Sequence, residues 1–442
     1  MAIRDAVAAV FVCEDRIFLV KRQPYLKAFP GYHAFPGGKV DRDERDTPID
    51  IPLFKDFEPR LMHALIREMD EELGIDLQQS ARSGLIKDFS LFTEVTTPDF
   101  HHHRFRTRFY KIGLNSMPDF TVDEAEVEKH CWETGHELMD RYHKGELLVA
   151  PPLRRMIEVL RDNPASSEAP DAEFRYDPKT EVPCMEAIGG VYQLLVQSKT
   201  IPPAAHTNAF VIGDYLVDPS PKSKKEMGKL LTTLKRFDLK GIFLTHHHGD
   251  HHQHAPDLAR TLDLPILISD DSHQRLTAKK RQYFKDIQIK IIKDGDHITT
   301  WKDETVRVYA VPGHDEGQMA LAPDSMAWFI VGDLIQGIGT VVISEPEGNM
   351  KKYFETLQRV IDLDPKIIFP SHGMGMGTTF RLQETLKHRV QREDQVLELH
   401  QQGKNKLQML AAIYKGLNPI LMPLAMKNIE SHMAKLKEES RI

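Results

Sequence analysis

Seven consecutive residues, Thr245-His246-His247-His248-Gly249-Asp250-His251, follow directly on the apolar run 241–244. A short apolar run bounded by polar residues reads as a buried strand. The loop leaving its C-terminal end is where α/β proteins place their chemistry. His246 and His248 alternate onto one side of the chain, and Asp250 with His251 can turn toward a second ion. So many metal-competent side chains in one loop are costly to gather without a cation to hold them.

Further strand ends carry matching groups. Gly313-His314 follows the run 306–311, Gly332-Asp333 follows 328–331, and Ser371-His372-Gly373 follows 367–369. With Thr207-Asn208 and Asp218-Pro219 upstream, the set resembles the His-x-His-x-Asp-His signature of the metallo-β-lactamase fold. The resemblance implies that His246, His248 and His314 hold one ion, that Asp250, His251 and His372 hold the other, and that Asp333 bridges them. It also implies a catalytic part for Asp250. Imidazole-dominated ligation suits two Zn²⁺, with manganese or iron as alternatives. Such ions bring the pKa of a bound water down to about 7. The redox branch of this fold has a glutamate where His248 stands, so hydrolysis is favoured. His252-Gln253-His254 replaces the apolar-Gly-Gly usual after the motif, and His247, His252 and His254 are read as outer or solvated groups. The short stretch between Asp333 and His372 leaves no room for a large cap domain. It is similar to glyoxalase II and to the lactamase-β-2-like branch, some of whose members cut RNA.

The N-terminal third holds a second constellation. Leu61, Leu65, Met69 and Leu73 recur every four residues and Gly74 supplies a stop, which predicts a helix over Pro59–Leu73. Glu68, Glu71 and Glu72 then share an arc of about 100°. Carboxylates that close repel unless a cation sits among them, and Mg²⁺ or Mn²⁺ takes oxygen ligands. Arg67-Glu68-Met69-Asp70-Glu71-Glu72-Leu73-Gly74-Ile75 resembles the second half of the Nudix box, and Gly38 with Glu44 resembles the first. Between Glu44 and Arg67 lie 22 residues, an expansion found in the peroxisomal coenzyme A diphosphatase-like branch. Arg22, Gln23, Lys27, Gly31 and Phe35-Pro36-Gly37-Gly38 fall at the spacings of that branch's coenzyme A element, with Gln23 and Lys27 as departures. Thr97-Pro98 and Arg104-Phe105-Arg106-Thr107-Arg108-Phe109 resemble a further strand of it. The resemblance implies that Glu68, Glu71 and Glu72 act catalytically by holding Mg²⁺ or Mn²⁺. It makes Arg67 an orienting group and Arg22, Lys27, Gly37 and Gly38 substrate-binding positions. Glu124 and Glu126 are candidates for the general base. His101-His102-His103 is a candidate for phosphate or metal.

The expected architecture is a multi-domain α/β chain. A Nudix α/β/α sandwich (1–162) is joined by a proline-rich linker (163–184) to a metallo-β-lactamase αββα sandwich (185–378) and a small helical, winged-helix-like cap (379–442). Three scattered cysteines exclude a disulfide framework, and no apolar run approaches the roughly 18–20 residues that span a bilayer. A cytoplasmic enzyme is expected. With 58 Lys+Arg against 65 Asp+Glu, the net charge of −7 counts against tight nucleic-acid binding. The expected activity is two-headed. One head is a diphosphatase acting on a coenzyme A derivative, and the other is a dinuclear-zinc thioesterase. The alternatives are RNA or nucleotide processing, and a Nudix head that only senses its ligand. Small molecules are the expected partners, with no membrane contact.

Overall fold

A computed structural model of the chain describes residues 3–101 and 104–442. His102 and His103, two of the three consecutive histidines considered above, lie outside the described residues. The chain divides into two compact units. One comprises Met1–Tyr176 with Ala187–Gly189, and the other Asp177–Glu186 with Gly190–Ile442.

The first unit is built on a seven-stranded sheet. Its central strand, Arg4–Cys13, runs parallel to Phe105–Leu114 and antiparallel to Arg16–Arg22. Alternate side chains of that strand enter different cores, because successive residues of a strand point to opposite faces. Val7, Ala9 and Phe11 pack with Leu61, Leu65 and Met69 of the helix Pro59–Leu73. Ala8, Val10 and Val12 pack with Leu138, Met156 and Leu160 from the helices Gly135–His143 and Pro151–Asp162. A strand covered on both faces reads as an unbroken apolar run, which accounts for the run 6–13.

The proline-rich stretch does not behave as a free linker over its first half. Ala169 and Ala172 are buried in the second of these cores, and the Ala169 N–H donates to the Phe92 carbonyl at 2.7 Å. The physical reason lies partly in Lys111, which is 4% exposed. Its buried ammonium needs acceptors, and the carbonyls of Pro164 and Ser166 supply them at 2.7 and 2.8 Å.

The second unit contains a seven-stranded and a six-stranded sheet. Phe210 of one meets Phe369 of the other with ring centroids 5.7 Å apart. Leu230 and Leu234 of the helix Lys224–Leu234 and Leu258 of Ala255–Leu262 cover the first sheet. Tyr353, Leu357 and Val360 of Met350–Asp362 cover the second. The layers are therefore helix, sheet, sheet, helix. The tail forms three α-helices, Phe380–Gln401, Lys406–Ile413 and Met422–Glu438, and a single 3-10 turn at Pro419–Leu421, with no strand among the described residues after 378. Val396, Met409, Ile429 and Leu436 make its small core.

An ion cluster ties that core together. Glu393, 5% exposed at its side chain, lies 2.8 Å from Lys435 Nζ and 2.6 Å from Arg441 Nη1. Burial opposes its charge, but His432 and Lys435 outweigh burial and bring the carboxyl down to about 2. A carboxyl lowered in the folded state stabilises above its ordinary pKa of about 4.3, and that stability is lost as pH falls toward 2. Glu393→Gln should leave the buried Lys435 with Glu439 alone, 2.9 Å away, and destabilise the tail by about 2 kcal/mol at neutral pH. The comparison with the wild type in denaturant should converge near pH 2.

Candidate metal centres

The histidine loop begins where the strand Gly241–Phe243 ends, and the short helix Gly249–His252 turns Asp250 and His251 back toward it. Asp333 follows the strand Phe329–Gly332, and His372 follows Ile367–Pro370, which runs parallel to it. His314 arrives on a turn that only glycine permits. A Cβ on Gly313, at φ +135, would stand 2.4 Å from Tyr353 Cα. These loops bring together all seven side chains that the sequence nominated. His246 Nε2 and His314 Nε2 each lie 3.0 Å from His248 Nδ1. Asp250, His251 and His372 form a second trio. Asp333 stands between the trios, with Oδ2 at 3.6 Å from His251 Nε2 and 3.7 Å from His314 Nε2, and Oδ1 at 3.4 Å from His372 Nε2.

The outward nitrogens decide what the inward ones can do. His314 Nδ1 meets the Val342 carbonyl and His372 Nδ1 the His206 carbonyl, each at 2.9 Å. His251 Nδ1 meets Asp218 Oδ2 at 2.8 Å, and His248 Nε2 meets Glu347 Oε2 at 3.2 Å. Thr245 Oγ donates to Asp218 at 2.6 Å, so toward His246 Nδ1, at 2.9 Å, it accepts. Carbonyls and carboxylates only accept, so each outer nitrogen carries the hydrogen and each neutral ring turns a lone pair inward. Five converging lone pairs repel one another unless a cation lies among them. The inward nitrogens of His251 and His372, and Asp333 Oδ1, are buried without a hydrogen-bond partner. This donor set fits two divalent cations.

In the first unit the helix Pro59–Leu73 ends as expected at Gly74, in the left-handed conformation at φ 63. The three glutamates on its outer face divide. Arg67 Nη1 donates to Glu68 at 2.8 Å and Glu71 at 3.0 Å, and Nη2 donates to Glu44 at 3.0 Å. Arg67 thus orients carboxylates, and the long expansion still returns Glu44 to the helix. Glu71 stays on the rim, its side chain 59% exposed. Glu72 turns inward and accepts the Gly37 N–H at 2.8 Å. Gly38 is pressed close to Glu68, where a Cβ would stand 2.2 Å from its carboxylate oxygen.

Residues 2–155 match the family model of the NUDIX domain, and residues 203–372 match that of the metallo-beta-lactamase superfamily. The chain is a fusion of these two domains. Both are hydrolase families, and the chain is an enzyme of that class. A beta-lactamase-like protein 2 homolog from Drosophila melanogaster is 26% identical over 264 residues, 53% of this chain and 84% of that protein. An atrochrysone carboxyl ACP thioesterase from a Cryptosporiopsis species is 26% identical over 212 residues, 46% of this chain and 61% of that protein. The crystal structure of a beta-lactamase domain protein from Burkholderia ambifaria aligns with a TM-score of 0.51 at 19% identity, over 60% of this chain and 90% of that one. Among the described residues, no helix is long and apolar enough to cross a membrane.

In the Nudix domain, burial pushes the Glu72 carboxyl up to about 8; the Gly37 N–H opposes the rise, and Glu126 and Glu68 add to it. Burial likewise raises Glu68, against Arg67. Glu126 therefore acts electrostatically on the two inward-placed glutamates. Of the substrate-binding candidates, Arg22 lies near enough to Glu72 to lower its pKa, while Lys27 is exposed. Gln23 is taken up structurally, its amide donating to the Glu124 carbonyl at 2.8 Å. His101 stacks on Phe29 at 5.7 Å.

In the metallo-β-lactamase domain, burial lowers His246 well below the ordinary imidazole range and His248 to about 4, so both stay neutral. Burial opposes charge on His251 too, but Asp333, Asp250 and Asp218 outweigh it and raise the group. His247 and His252 are not solvated. His247 is buried with Nδ1 2.6 Å from Asp315 Oδ2, and His252 Nδ1 lies 2.5 Å from the Tyr283 hydroxyl. His254 pairs with Asp257 at 2.8 Å. Sequence reasoning noticed Asp218 without giving it a part, and it missed Glu347 and Val342. The Asp-Pro pattern was a usable signal for the first; nothing local signals the other two.

Proposed function

We propose that the chain is a two-headed metal-dependent hydrolase: a dinuclear-zinc thioesterase joined to a Mg²⁺- or Mn²⁺-dependent diphosphatase that cleaves a coenzyme A derivative. The observation that carries the reading is the set of five imidazoles, three of them buried, whose outer partners turn every lone pair inward. His246, His248 and His314 would hold one ion, Asp250, His251 and His372 the other, with Asp333 between them. Divalent cations there supply Lewis acidity and a water acidic enough to be deprotonated near neutral pH. The chain's own contribution is to keep His246 and His248 unprotonated by burial and to hold His251 and His372 in register through Asp218 and the His206 carbonyl. In the Nudix domain, Glu68 and Glu72 supply the inward oxygens, Glu71 the rim, and Arg67 their orientation.

Thioester cleavage is favoured over RNA cleavage by the rim of the metallo-β-lactamase site. A cleft of about 350 Å³ beside Glu347 is lined by Glu316, Glu345, Glu347 and Lys352, and such a carboxylate excess repels a polyphosphate backbone. The related ACP thioesterase supports the same class.

Incubation with an acyl-coenzyme A, Mg²⁺ and Zn²⁺, followed by mass spectrometry, tests both heads. Free coenzyme A is expected from the metallo-β-lactamase domain. Adenosine 3′,5′-bisphosphate with acyl-phosphopantetheine is expected from the Nudix domain. Substrate returned intact across several acyl lengths would reject the coenzyme A reading, and 5′-triphosphorylated RNA would be the next substrate offered.

A further inference from the structure

His388-Arg389-x-x-Arg392 lies on the tail helix Phe380–Gln401, and the activity proposed above gives it no part. Arg389 is nonetheless 4% exposed. A guanidinium is costly to bury unless its planar donors are matched. Here Nη1 donates to Asn428 Oδ1 at 3.2 Å, Nη2 donates to the Val341 carbonyl, and the group lies 5.7 Å from the Tyr353 ring centroid. Asn428 Oδ1 also accepts the Ile343 N–H at 3.4 Å, and Ser431 Oγ donates to the Ile343 carbonyl at 2.7 Å.

The tail helices thus fasten residues 341 and 343, on either side of Val342. Val342 supplies the carbonyl that receives His314 Nδ1. The same loop runs on to Glu347, which receives His248 Nε2. Both acceptors that set the tautomers of these two histidines ride on a loop secured from the tail.

We propose that Arg389, assisted by Asn428 and Ser431, is a positioning residue for the first cation site: it fixes the loop 341–347 so that Val342 and Glu347 hold His314 and His248 as ligands. The inference rests on the metal reading above, and it gives the tail a task in the chemistry of the domain it follows. Partners of this outer kind change metal affinity by about 10–100-fold.

The test is titration with Co²⁺ of the full-length protein, metal-free except for saturating Mg²⁺ that fills the Nudix glutamates, followed by visible absorption and calorimetry. The wild type should take two equivalents. Arg389→Met should weaken one equivalent by about 10–100-fold and leave the other unchanged. Ser431→Ala, a milder variant that decides the matter if Arg389→Met does not fold, should weaken the same equivalent by a smaller factor. Glu393→Gln loosens the tail through its own ion pairs without touching the loop, and it should leave both affinities unchanged. Wild-type affinities in Arg389→Met and Ser431→Ala would overturn the proposal. So would equal losses at both sites, or the same selective loss in Glu393→Gln, which would make tail stability the cause. A wild-type chain that takes up no Co²⁺ would instead overturn the metal reading itself.

Discussion

Asp333→Ala should empty the metallo-β-lactamase domain of tightly held metal and remove the thioester hydrolysis proposed for it, while the diphosphate cleavage proposed for the Nudix domain stays at the wild-type rate. Asp333 reaches ligands of both trios, between 3.4 and 3.7 Å from three imidazoles. Deleting a buried charge on which partner groups depend costs about 3–5 kcal/mol, which at about 1.4 kcal/mol per decade is a loss of at least about 100-fold in affinity. Zinc per chain after gel filtration and the rate of coenzyme A release are the two readings. Two zinc ions per chain at the wild-type rate would remove Asp333 from the centre.

A pH signature accompanies this result. Burial opposes charge on His372 as it does on His251, yet Asp333 raises both groups in the metal-free chain. A raised imidazole stabilises fully below its ordinary pKa of about 6.5, and that contribution is lost as pH rises through its folded value. The metal-free domain should therefore weaken as pH increases past 6.5, and metal uptake should release protons. The heat of Zn²⁺ binding should then vary with the ionisation enthalpy of the buffer.

Glu72→Gln is expected to have opposite effects on activity and stability. Diphosphate cleavage should fall by about 100-fold or more, because an inward oxygen charge is lost from a cation site. The metal-free Nudix domain should become more stable at pH 7. Glu72 is buried and its carboxyl is raised to about 8, so its favourable contribution is complete below about 4.3 and drains away as pH climbs to 8. By pH 7 the accumulated penalty is of order 3 kcal/mol. Glutamine keeps an acceptor for the Gly37 N–H without the charge. Denaturant unfolding in chelator should show the variant more resistant than the wild type at pH 7 and level with it near pH 4. A variant that keeps its diphosphatase rate would reject the assignment of this helix face.

What was legible in the sequence came from local geometry and from resemblance to two known families. His246, His248, Asp250 and His251 are confined to one loop, and His314, Asp333 and His372 each end a strand; that these three join the loop in one site is what the resemblance to the metallo-β-lactamase fold implied. The helix Pro59–Leu73 was equally plain from its four-residue repeat and its stop at Gly74. The arc of three glutamates could not reveal which carboxyl turns inward, because Glu71 and Glu72 differ by burial against Gly37 and not by periodicity. Nor could it return Glu44 to Arg67 across the expansion. Glu347 and Val342 were out of reach for a further reason. Their position depends on a loop path fixed by helices many residues away, and no spacing encodes that path.

The Lys111 latch bears on how the Nudix half can be handled as a transferable piece. A fragment stopped at residue 162 would strip Ala169 and Ala172 from an apolar core and strand an interior ammonium without its two carbonyls. One carried through Tyr176 keeps both. A protease offered the intact chain should accordingly find its easiest cut past Tyr176, and the released N-terminal product should retain the alanines that composition alone had consigned to a tether.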